Sequence, residues 1–91
     1  MTEKDLQDLG FSVYKGDGFY YYVYEFGESG LSLLSNANDE VDFHKESGWF
    51  VDLLDYDGIR FFDRNDVEDF VNLINKVYDI KQKNRKDFFI W

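Results

Sequence analysis

The spacing of apolar and polar positions along this chain changes from helical to alternating and back, and each change marks an element. Thr2 is placed to cap a short helix running to Leu9, with Asp5 at the reciprocal position of a capping box and Gly10 as the stop. From Phe11 to Lys15 the chain alternates, Phe11 and Val13 against Ser12 and Tyr14, and Gly16-Asp17-Gly18 supplies a tight turn into the next strand. That strand, Phe19 to Phe26, is apolar or aromatic on both faces, as a central strand is. Gly27 to Gly30 ends it, and Leu31 to Ser35 forms a third.

Asn36 to Glu40 reads as a polar connection, and Val41 to His44 as a short edge strand. A turn over Lys45 to Gly48 leads to Trp49–Leu54, where Trp49, Val51 and Leu53 share one face. Asp57-Gly58 is the strongest hairpin signal, returning the chain as Ile59 to Phe62. Strands joined by such short turns pair antiparallel, because parallel pairing needs a crossover of a dozen or more residues.

Val67, Phe70, Val71, Ile74, Val77 and Tyr78 then recur at helical spacing, which predicts a helix over 66–82. Asn65 is its expected cap, with Glu68 completing a capping box. Asp66 and Asp69 lie at the positive end of its dipole, Lys76 and Lys81 toward the negative end. The expected fold is α+β: an antiparallel meander sheet of about five strands, with a short N-terminal helix and a longer C-terminal amphipathic helix packed on one face.

Composition narrows this further. With 91 residues, every element of 1–91 must share one interior. Ten Phe, seven Tyr and two Trp give that interior bulk, each buried ring contributing roughly 1.5 to 3 kcal/mol. The chain has no cysteine, which removes disulfides and thiolate metal sites and points to a reducing cytoplasm. No signal peptide or membrane span is legible. A formal net charge of -9 disfavours direct nucleic-acid or anionic-lipid binding.

Candidate chemistry is sparse. His44 is the lone histidine and has no nucleophile beside it, so no catalytic residue is assigned. Asp52, Asp55 and Asp57 lack the full spacing of a calcium loop, and the hairpin accounts for Asp57-Gly58; no metal or cofactor is assigned. Gly16 to Gly18 and Gly27 to Gly30 lack the context and lysine of a phosphate loop.

Two features stand out beyond that. Eleven acidic residues between Asp39 and Asp69 face only Lys45, Arg60 and Arg64, a local charge of -8, whereas residues 76–91 are net +3. The aromatic excess is the other. With Phe19, Tyr21 and Val23 toward the long helix, alternation puts Tyr20, Tyr22, Tyr24 and Phe26 on the opposite side with Phe50, Leu54 and Phe62. The first helix and the tail then become candidate covers for that second side. The candidate partner-binding set is therefore Asp39, Glu40, Asp42, Glu46, Asp52, Asp55 and Asp57 with Tyr20, Tyr22 and Tyr24. The basic-aromatic tail 83–91 carries Phe88, Phe89 and Trp91, which need a docking place on the sheet, on a partner or in a homodimer.

Leu31 to Glu40, followed by Gly48-Trp49-Phe50-Val51 and the closing Asp66 to Lys81 helix, resembles in style the small acidic proteins encoded by bacterial viruses and prophages. That resemblance implies a protein that binds and blocks a host factor in the host cytoplasm, as anti-CRISPR and other anti-defence inhibitors do, some by mimicking DNA. The leading expectation is a non-enzymatic inhibitor of a protein partner with a basic surface. The alternative is an oligomeric sponge that stacks a nucleotide on aromatic rings and holds its phosphates with Lys83, Arg85 and Lys86. A small carboxylate hydrolase ranks last.

Overall fold

Thr2 opens the first helix in the computed structural model of the chain, which describes residues 1–43, 48–56 and 58–87. In α1 (Glu3–Asp8) the capping box is formed: Thr2 Oγ1 accepts the Asp5 N–H at 3.2 Å and Asp5 Oδ2 accepts the Thr2 N–H at 2.8 Å. Gly10, at φ 96°, turns the chain so that the Phe11 N–H closes on the Leu6 carbonyl. The strands β1 (Ser12–Lys15), β2 (Tyr20–Glu25), β3 (Ser32–Ser35), β4 (Val51–Leu53) and β5 (Arg60–Phe61) follow in one antiparallel sheet, ordered as they occur. The fold is the α+β meander that the turn residues predict. Gly58 at φ 88° and Asp55 at φ 70° form the β4–β5 connection, where Leu53 donates to the Ile59 carbonyl.

Two segments differ from the sequence reading. Residues Asn38–Phe43 form a helix, α2, and not an edge strand after Val41. Asp39 and Glu40 in its first turn suit the positive end of a helix dipole, and the Val41 N–H reaches the Ala37 carbonyl. The polar residues that lead into it and open it reach other strands with their side chains. Asn38 Oδ1 accepts the Tyr20 N–H at 2.7 Å, and Ser35 Oγ accepts the Tyr22 N–H at 2.8 Å. Buried Asn36 takes the Phe50 N–H and donates to the Gly48 carbonyl, so side chains extend the ladder where β3 has ended.

The last helix, α3, spans Arg64–Asp87, longer at both ends than 66–82. Its cap is Asp63 and not Asn65: Asp63 Oδ1 accepts the Asn65 N–H at 2.8 Å, and the Asp63 carbonyl accepts from Val67. Without proline or glycine between 64 and 87, and with cations favourable at a helix C-terminus, the basic run stays helical instead of starting a tail at 83. His44, Lys45, Glu46, Asp57 and the aromatic Phe88, Phe89 and Trp91 lie outside the described residues.

The core joins Leu6 of α1, Phe11, Tyr22 and Phe26, Leu33, Trp49, Val51 and Leu53, and Val67 and Val71 of α3. Leu6, Leu33, Val51 and Val67 are fully buried. Both α1 and α3 thus cover one face of the sheet, and that face carries the even-numbered residues of β2. Asn75 Nδ2 donates to the Tyr24 hydroxyl at 3.1 Å across it. The Met1 ammonium donates to the Trp49 and Phe62 carbonyls, both at 3.2 Å, and the Trp49 N–H returns to the Met1 carbonyl. Arg64 Nη1 reaches Asp5 Oδ1 at 3.1 Å, linking the starts of α1 and α3.

Candidate functional site

Because a strand alternates its side chains, the register decides what the uncovered face displays. Val23 pairs with Leu34, Leu34 with Asp52 and Asp52 with Arg60, so these four lie together on the side away from α1 and α3. Tyr14 opposes Tyr21 on the same side, and Phe19, Phe50 and Phe62 follow by alternation. The helices therefore cover Tyr20, Tyr22, Tyr24 and Phe26, reversing the face expected for them. Phe50, Leu54 and Phe62 are not their neighbours but belong to the open side. Helix α1 does cover the tyrosine side expected of it, with Glu3 and Gln7 bonded to the Tyr22 hydroxyl, but not the side of Phe50 and Phe62.

The open face carries two aromatic groups. At the β1–β2 end, Tyr14 stacks on Tyr21 with centroids 5.9 Å apart, and Phe19 stacks on Tyr21 at 6.3 Å. The Glu25 carboxylate accepts from the Tyr14 hydroxyl at 3.3 Å and its charge pushes that phenol up. At the β4–β5 end the rings of Phe50 and Phe62 are 5.6 Å apart, and the Arg60 guanidinium sits 4.2 Å from the Phe50 centroid. Phe62 is 55% exposed, so the second group presents an apolar surface to solvent.

Beside the second group lies a groove of about 420 Å³ lined by Leu34, Asn36, Glu40, Phe50, Asp52, Leu54, Asp55, Tyr56 and Arg60 among others. Arg60 grips Asp52 with two bonds, Nε to Oδ1 at 2.6 Å and Nη2 to Oδ2 at 3.1 Å. Its guanidinium is held charged first by that pairing, with Glu40 adding to it. Asp52 is thereby paired within the protein. Asp39, Glu40, Asp42 and Asp55 remain exposed; Glu40 and Asp55 line the groove, while the charge of Asp42 acts on Tyr20 of the covered face.

The tyrosines of the candidate set sit elsewhere. Tyr22 is buried against Trp49, its hydroxyl donating to Glu3 Oε1 at 2.7 Å, and burial followed by that carboxylate pushes its phenol up. Tyr20 and Tyr24 are half-buried on the same covered face. Residues the sequence reading passed over, Tyr14, Tyr21, Arg60 and Tyr56, line the open side. Their signal was the phase of β2 against β4, which only the β2–β3 and β3–β4 registers supply.

Among the described residues, no group of three or more His, Cys, Asp or Glu stands close enough to hold a metal ion, and no helix is long and apolar enough to cross a membrane. No family model matches this chain, and comparison with curated proteins and with solved structures finds no match. What the arrangement offers chemically is flat stacking surface, hydroxyls and a rim of carboxylates.

Proposed function

We propose that the protein is a non-enzymatic binding protein that docks a protein partner with a basic surface onto its open sheet face and α2, and so blocks a host defence or nucleic-acid-processing protein. The observation that supports this reading is that exposed rings lie with the exposed carboxylates of Glu40 and Asp55 on the one sheet face that neither α1 nor α3 covers. Aromatic residues on a rigid sheet lose little side-chain freedom on binding and carry much of the energy at interfaces. Carboxylates at the rim steer a basic partner and add specificity. A surface that presents acids where DNA presents phosphates would compete with DNA for such a partner, the mimicry that the resemblance implies.

The competing sponge needs cations on the ring-bearing face. Arg60, the guanidinium that this face does present, is already bound to Asp52.

The test is affinity purification from the native host with mass spectrometry, repeated with a Tyr21→Ser/Phe62→Ser variant and with an Asp39→Asn/Glu40→Gln/Asp42→Asn variant. A partner held through this face is lost with the first variant and weakened by the second. Its affinity also falls as salt rises and the Debye length contracts from about 8 Å at physiological ionic strength to about 3 Å at 1 M. A partner that binds both variants and high salt equally well would overturn the reading. DNA that fails to displace the protein from that partner would remove the mimicry alone.

A further inference from the structure

Helix α3 carries a second apolar stripe. Val67, Phe70, Val71 and Ile74 face the core, yet Leu73 and Val77 are 56% and 52% exposed. Leu73 and Val77 are spaced i, i+4, roughly 90° or more around the helix from the core-facing stripe at 3.6 residues per turn. The core takes one stripe and leaves the other open to solvent at Leu73 and Val77.

The charge along α3 identifies what fills the other. Residues 64–75 are net -2, from Arg64 against Asp66, Glu68 and Asp69. Residues 76–87 are net +3, from Lys76, Lys81, Lys83, Arg85 and Lys86 against Asp79 and Asp87. Such a helix is complementary to itself in one orientation only. Laid antiparallel on a second copy, the acidic half of each runs along the basic half of the other and the dipoles oppose. Laid parallel, the two basic halves would stack.

We infer that this protein forms a two-fold symmetric homodimer through an antiparallel pairing of α3, with Leu73 of each copy opposite Val77 of the other. A two-fold axis makes the same patch serve both sides, so one stripe is sufficient. The interface is separate from the open sheet face, and its success or failure leaves the binding reading untouched.

Sedimentation equilibrium of the full chain over a range of concentrations tests the inference. Dimer is expected, and Leu73→Glu weakens it by at least about tenfold, because each dimer loses two apolar contacts and gains two carboxylates in the seam. Far-UV circular dichroism checks that this exposed substitution leaves the fold intact.

The absence of cysteine makes the orientation readable as well. When Leu73→Cys and Val77→Cys chains are mixed and oxidised, an antiparallel pair yields the mixed disulfide several-fold over either chain linked to itself. A parallel pair yields the two self-linked dimers instead. A chain that stays monomeric throughout, a dimer indifferent to Leu73→Glu, or preferential self-linking would each overturn the inference.

Discussion

If the sheet is covered on one side only, equal deletions on its two sides must have unequal costs. Leu33 lies at the centre of β3, fully buried against both helices' side of the sheet, and Leu33→Ala removes a packed side chain and leaves a cavity. That costs about 3 kcal/mol, within the ~2 to 5 kcal/mol typical of such deletions. Phe62 projects from the open face and is 55% exposed, so a little under half of the ~1.5 to 3 kcal/mol of a fully buried ring is at stake. Its contact with Phe50 adds about 0.5 kcal/mol or somewhat more, bringing Phe62→Ala to roughly 1.5 kcal/mol. A domain of this size has about 5 to 14 kcal/mol in all, so both variants fold. Guanidinium unfolding followed by far-UV circular dichroism measures the difference, and Leu33→Ala should also lower Tm by more than about 10 °C. Equal costs for the two variants, with unchanged denaturant slopes, would show Phe62 to be covered in solution and refute the one-sided sheet.

Three further outcomes follow from the local geometry. A double-mutant cycle on Asp52→Asn and Arg60→Gln should give a coupling of about 0.2 to 1 kcal/mol for this exposed cross-strand pair, shrinking toward zero at 1 M salt. Asp63→Ala should cost about 0.5 to 2 kcal/mol by thermal unfolding, whereas Asn65→Ala, one turn position inside the helix, should change little. The Thr2 N–H, with the Arg64 guanidinium behind it, holds the Asp5 carboxyl below its ordinary value of 3.8. Its contribution is therefore fully present above about pH 4 and is lost as pH falls through the depressed value; Asp5→Asn should flatten that part of an acid-unfolding curve, and an unchanged curve would deny Asp5 the role.

Local signals carried most of the fold. The Thr2-Asp5 box, the turn at Gly58 and the 67–71–74 spacing are each decided within a few residues, and the chain obeys them. Two readings failed where a distant partner decides. Asn36 and Asn38 look like turn formers, but their side chains complete the backbone bonding of β4 and β2, and the segment beyond is free to coil into α2. Asn65 and Asp63 are both good caps, and the choice between them fell to where β5 releases the chain. The open face was half legible: an aromatic excess too large for one helix to cover was visible, but which rings were left out depends on the β2–β3–β4 registers. Parity set wrong once moves every side chain of a strand to the other face, so Tyr20, Tyr22 and Tyr24 stood in for Phe19 and Tyr21.

The Met1 contacts with Trp49 and Phe62 bear on the order in which the chain assembles during synthesis. At about 5 to 20 residues per second, each hairpin of the meander can pair within moments of leaving the ribosome, since its contacts are local. The first segment has one such neighbour, Tyr22 of β2, which Glu3 and Gln7 bond, but its other contacts are distant. Leu6 belongs in a pocket floored by β3 and β4 and flanked by α3, and Met1 bonds to carbonyls that emerge some fifty to sixty residues later. Residues 1–9 can therefore complete these contacts only after β3, β4 and Phe62 have emerged, when the hairpins before them can already be paired.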